Sequence, residues 1–204
     1  MTEDEACFTG SEKRFFICLK SLAPMTPEKE LPVSHEMGHL WLTLHSFPRE
    51  NRNISDEQQK RYDSLFGPLL EVMEHAIFYP WLKNNYGIDL YRVGNQRLVD
   101  FLKNKFPNRK NESQGDQVSL ILNYIKFKVE SNSSYWQERF SRAYSKNKFI
   151  DLKLVGERVL PIIQELASKP PDPQYFIKKY REVLETMNIE QELWPDFCSL
   201  VKKY

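Results

Sequence analysis

Two histidines and a glutamate raise the question of chemistry. His35-Glu36-Met37-Gly38-His39 reads H-E-x-x-H, and it holds two of the 4 histidines in the chain. Residues four apart on an α-helix stack on one face. Both imidazoles therefore face one point and can ligate one metal ion, with Glu36 reaching a water on the same side. Such a donor set suits Zn2+, which polarises a carbonyl and acidifies water. Glu36 is then the expected general base, taking a proton from the water and passing it to the leaving group. Val33, Met37, Leu40, Trp41, Leu42 and Leu44 surround the motif. A helix apolar on nearly every side is a buried one. Imidazoles and a carboxylate buried there without partners are costly, and a metal offsets that cost.

The elements that must position these groups follow from the neighbouring signals. Pro32 suits a first helical turn, so the motif helix is expected from Pro32 to about His45, before Ser46-Phe47-Pro48. His45 lies about 80° around that helix from His35, which reads as a helix-end residue rather than a ligand. Upstream, Phe15-Phe16-Ile17-Cys18-Leu19 is a short β-prone run and is expected as a strand. It serves either as a core strand or as an edge that holds an extended substrate. Downstream, Ser55-Asp56-Glu57-Gln58 is a capping box for a helix to about Phe66. Gly67-Pro68 interrupts it, and a second helix runs from Leu69 to about Asn84, with Gly87 as its stop. Leu69, Val72, Met73, Ala76 and Tyr79 form its apolar stripe, with Glu71, Glu74, His75 and Phe78 on the adjoining face. Glu71 and His75 are about 40° apart, and Glu74 is about 60° from Glu71 on the other side. These three are the candidates for a further metal ligand and the groups that support it. His75 and Tyr79 are both candidates for stabilising an oxyanion.

His35-Glu36-Met37-Gly38-His39-Leu40 on an apolar helix, followed by a helix bearing Glu71, resembles the zincin metallopeptidases. Within them it looks most like the small gluzincin-type group that includes the ImmA/IrrE peptidases. The resemblance spans residues 15–87, and its specific part is H-E-x-x-H. It implies a zinc-dependent metallopeptidase acting on a protein or peptide substrate. Zn2+ would sit on His35, His39 and Glu71, with Glu36 as general base and His75 in a supporting catalytic role. The chain departs from the family pattern in two ways. His75 stands where an acid commonly supports a ligand histidine, and one upstream strand is readable where the family has a small sheet. The third ligand accordingly stays open between Glu71, Glu74 and His75. A deformylase-like enzyme would need a cysteine ligand, and Cys18 lacks that family's surrounding motif. The alternative from another class is a helical interaction protein with a structural or vestigial metal site, which bound-metal analysis separates from an enzyme.

The 204 residues carry a formal net charge of +1, with 41% hydrophobic and 13% aromatic residues. That composition supports a core and gives no strong pull toward nucleic acid or anionic membrane. Cys7, Cys18 and Cys198 are far apart and odd in number, so no disulfide framework or metal-binding cysteine pair is readable. No signal-peptide or membrane-spanning run is readable, and the chain reads as cytoplasmic. The 7 glycines are too scattered for a phosphate-binding loop. Past Gly87 a short helix is expected over Arg97 to Lys105, and Pro107 to Asp116 reads as a linker. Helical periodicity then runs through Val118–Val129, Ser134–Tyr144 and Leu152–Leu166, with a bend at Pro161. A last helix starts at Pro173 with Asp172 as its N-cap. The expected fold is mainly α (α+β): a zincin-like core over 1–106 with a small β element, a linker over 107–116, and a helical bundle or cap over 117–204.

Overall fold

A single helix buried along most of its length organises the molecule. In the computed structural model, residues 6–11, 14–19, 27–48, 62–106, 113–146 and 148–189 are described, with backbone alone for 6–11, 14–19, 27–29 and 62–63. The architecture is mainly helical. Helix α1 (Pro27–Leu44) carries the H-E-x-x-H motif, and α2 (Gly67–Tyr86) is the central helix. Leu69, Leu70 and every residue from Val72 to Tyr79 are buried. That is the signature of a helix surrounded by others rather than lying on a surface. Helices α3 (Tyr91–Asp100), α4 (Gln114–Glu130), α5 (Ser134–Lys146), α6 (Ile150–Ala167) and α7 (Pro173–Thr186) complete the described set. Helices α1, α4 and α6 all pack on α2, and α7 packs on α6. The backbone of β1 (Ala6–Ser11) pairs antiparallel with that of β2 (Arg14–Leu19), and this hairpin lies against α1. Among the described residues no helix is long and apolar enough to cross a membrane.

Several boundaries differ from the sequence expectation, each for a local reason. The motif helix starts at Pro27, and Pro32 lies inside it. Pro27 already supplies the favourable first position, and the bond lost at Pro32 falls in the second turn, where packing of the remaining helix outweighs it. Gly67-Pro68 does not break the chain. A π-helical turn, Tyr62–Phe66, runs directly into α2, so the pair marks a change of helical register. The capping box expected at Ser55 lies outside the described residues. The short helix expected over Arg97–Lys105 is α3, which begins at Tyr91, where Asp89 Oδ1 accepts the Tyr91 amide at 3.2 Å; a π turn then follows over Phe101–Lys105.

Helix α4 begins inside the expected linker. Ser113 caps it, with Asp116 closing a reciprocal capping box. Ser-x-x-Asp is the acid-shortened form of the Ser-x-x-Glu signature. Residues 107–112 lie outside the described set. The stops at Gly87 (φ 71°) and the start at Asp172-Pro173 fall where the sequence places them. One hydrophobic core joins both halves of the chain: Leu69, Met73 and Phe78 of α2 belong to the same cluster as Tyr124, Ile125, Val159, Ile163 and Tyr180. The Tyr180 hydroxyl, itself buried, donates to the Phe66 carbonyl at 2.9 Å.

Candidate metal centre

Close packing of α1 on α2 creates the site. Gly38 lies one residue before His39, and a Cβ there would overlap the Phe78 ring of α2. Only glycine lets the two backbones approach this closely. Trp41 and Trp81 stack across the same pair of helices, with ring centroids 4.3 Å apart. At this crossing His35 and His39 of α1 meet His75 of α2. His35 Nε2 lies 3.1 Å from His39 Nε2, and His75 Nε2 lies 3.4 Å from His39 Nε2. One ring nitrogen from each of the three falls within 4.8 Å of the other two.

Each imidazole is held from behind. His39 donates its Nδ1 hydrogen to Glu74 Oε2 at 2.5 Å, and His75 donates its Nδ1 hydrogen to Glu130 Oε1 at 2.7 Å. A carboxylate only accepts, so both Nδ1 atoms carry hydrogen. A neutral imidazole then has its lone pair on Nε2, aimed at the meeting point. The Tyr79 hydroxyl sits 3.5 Å from His35 Nδ1 and its ring stacks on His75. Burial holds the Tyr79 hydroxyl well above its usual titration range, with Glu130 adding to it, so it stays a protonated donor.

The electrostatics favour the neutral form of His35 and of His75. Burial pushes His35 far below the usual histidine range, and the neighbouring imidazoles of His75 and His39 push it further. Burial also lowers His75, against the opposing pull of Glu130. With its hydrogen on Nδ1, a neutral His75 turns its Nε2 lone pair toward His39 Nε2, 3.4 Å away. A cation at the centre would accept such a lone pair. Tetrahedral Zn2+ with Zn–N bonds near 2.05 Å places its ligand nitrogens about 3.3 Å apart, close to the 3.1 and 3.4 Å found here. The residues present therefore fit a zinc ion.

Glu71 does not join the three imidazoles. It groups instead with His75 and Glu130, at 3.8 Å from His75 Nε2. That group already contains a cation. Lys126 Nζ donates to Glu71 Oε1 at 2.9 Å and lies 3.4 Å from Glu130 Oε1. Burial opposes the Glu71 charge, but Lys126 and His75 overcome it and hold the carboxyl at about 2. Burial likewise opposes the Glu130 charge, and Lys126 and His75 again win.

Of the residues singled out from sequence, the structure brings together His35, His39 and His75, with Glu74 behind His39 and Glu71 to one side. Glu36 reaches the same region, with Oε1 3.9 Å from His35 Nε2. Tyr79 lies on the Nδ1 side of His35, away from the Nε2 cluster. Cys18 belongs to β2, whose side chains are outside the described set. His45 is exposed, its ring tilted against that of Trp41 and its Nδ1 hydrogen-bonded to the Trp41 carbonyl, clear of the cluster. Sequence reasoning missed Glu130 and Lys126. Glu130 is the last residue of α4, a place where the helix dipole disfavours an acid. A carboxylate at that position on an apolar helix is the signal that would have found it. A glycine contact also places Glu130, since a Cβ on Gly94 would overlap the Glu130 carbonyl.

No family model matches this sequence, and no curated protein or solved structure matches it.

Proposed function

We propose that this protein is a zinc-dependent hydrolase of the H-E-x-x-H kind, a metallopeptidase acting on peptide bonds of a protein or peptide substrate. Zn2+ would be held by His35, His39 and His75. The observation that carries the metal is the convergence of three imidazole nitrogens, two of them with tautomers fixed by buried carboxylates. His75 takes the ligand place that the zincin resemblance gives to Glu71, because Glu71 is engaged by Lys126. Bound zinc supplies a Lewis acid that polarises a carbonyl and lowers the pKa of water. Glu36 carries the hydrolytic part of the reading. Its carboxylate reaches the edge of the cluster, where it takes a proton from water and gives it to the leaving amine. Glu74 and Glu130 orient His39 and His75 and raise their basicity.

A second reading makes the metal a structural staple between α1 and α2 in a helical interaction protein. Structural zinc sites are closed, and catalytic ones keep an open side. His75 is fully buried, but the side chains of His35 and Glu36 are 20% and 18% exposed, which favours the open kind. Elemental analysis of protein purified without chelator tests the metal. About one zinc per chain is expected, lost in His35→Ala and in His75→Ala and kept in Glu71→Ala. Equal metal in wild type and all three variants would overturn the site. Glu36→Gln tests the hydrolase: it should keep the zinc and lose peptide cleavage by several orders of magnitude, as expected when base and metal act as a unit.

A further inference from the structure

We propose that Cys7 and Cys18 form a reversible intramolecular disulfide, which makes the N-terminal hairpin a dithiol–disulfide site. In sequence these cysteines are eleven residues apart and match no redox motif. The strand register brings them together: Cys7 of β1 stands directly opposite Cys18 of β2. Directly opposite residues of an antiparallel pair share one face. Their Cα atoms lie about 4.5 Å apart in a non-hydrogen-bonded pair and about 5.5 Å apart in a hydrogen-bonded one. A disulfide needs a Cα separation of about 4.4–6.8 Å, so either pair type permits the bond. A register shifted by one residue would instead put Cys7 opposite Ile17 or Leu19 and forbid it.

The co-reactant is a low-molecular-weight disulfide of the glutathione class. A thiolate of one cysteine attacks it, forming a mixed disulfide and releasing one thiol. The second cysteine's thiolate attacks the protein sulfur of that mixed disulfide, forms the Cys7–Cys18 bond and releases the second thiol. Two protein thiols are thereby oxidised and one small disulfide is reduced to two thiols. The bond would pin the register of a hairpin that packs against α1, the helix carrying His35, Glu36 and His39. The inference stands on the register alone and does not depend on the proposed hydrolase.

Equilibration of the full chain with reduced and oxidised glutathione, followed by acid quench, alkylation and tryptic mass spectrometry, tests it. Lys13 and Arg14 lie between the two cysteines, so trypsin separates them and a linked pair of peptides, 1–13 with 15–20, reports the bond. That linked pair is expected in wild type and in Cys198→Ser, and not in Cys7→Ser or Cys18→Ser. Proximity in sequence alone would also favour this pair in an unfolded chain, so the measurement is repeated in concentrated urea. The effective concentration of one thiol toward the other should be at least about tenfold higher in the native protein. An equal or lower native value would overturn the proposal. So would pairing of either cysteine with Cys198, or separate glutathione adducts on Cys7 and Cys18 without the internal bond.

Discussion

Glu130 shows what one buried side chain contributes to this site. Its carboxylate is wholly buried, accepts the His75 Nδ1 hydrogen and lies 3.4 Å from the Lys126 ammonium. Among the described residues its second oxygen, Oε2, has no hydrogen-bond partner. A buried charge so placed is tolerable because Lys126 and His75 face it, and removing one partner of such a pair costs about 3–5 kcal/mol. Glu130→Gln should therefore weaken zinc binding by about 10–100-fold, as losses behind a ligand histidine do. Competition against a chromophoric chelator measures it, and unchanged affinity would show that His75 is not a ligand. Lys126→Met removes the cation between Glu71 and Glu130 and leaves two carboxylates beside His75. The metal-free variant should melt below wild type, and added zinc should raise its melting temperature by more than it raises that of wild type. An equal or smaller zinc-induced rise would show that Lys126 does not stand in for a cation.

At the scale of the elements, the crossing of α1 and α2 sets the geometry of the three histidines. Gly38 admits the Phe78 ring, and His39 follows it directly on α1. Phe78 in turn lies one turn beyond His75 and makes edge contacts to all three imidazoles. Gly38→Ala inserts a methyl group where the ring lies, and overpacking of this kind costs about 1–3 kcal/mol. The helices must separate, so zinc affinity should fall together with stability. Phe78→Ala opens the same space. In a double-mutant cycle the pair should be strongly coupled, with the double variant less damaged than the sum of the single ones. Additive denaturation free energies would mean that the contact does not set the crossing.

Among the described residues of the whole molecule there is one core, and it crosses the expected division near residue 107. Helices α4 and α6 cover α2, and α4 delivers Lys126 and Glu130 to the histidine cluster. A fragment ending at residue 106 keeps His35, His39 and His75 but exposes the α2 surface that α4 and α6 bury. It should show no cooperative thermal transition by circular dichroism and hold zinc at least about tenfold more weakly than the full chain, as expected when a supporting carboxylate is lost. A fragment that unfolds cooperatively and binds zinc like the full chain would show that the halves are independent.

Local chemistry alone determined much of this protein. The i, i+4 spacing of His35 and His39, the glycine stop at Gly87 and the Asp172-Pro173 start are each set within a few residues, where backbone sterics and capping decide the outcome. The apolar periodicity of α4, α6 and α7 was legible for the same reason. Helix ends governed by less common signals, such as the Ser113–Asp116 box and the π turns, were read short or missed. The make-up of the site was another matter. Glu71 and His75 share a face of α2, so spacing could not choose between them. What distinguishes them is Lys126, which engages Glu71 from a helix more than fifty residues away. Glu130, equally distant, fixed the tautomer of His75. The cross-strand meeting of Cys7 and Cys18 likewise depends on register, which no single strand encodes. A histidine's charge state and orientation depend on what packs behind it: Glu74 meets His39 where α1 crosses α2, and Glu130 meets His75 only when α4 closes on α2.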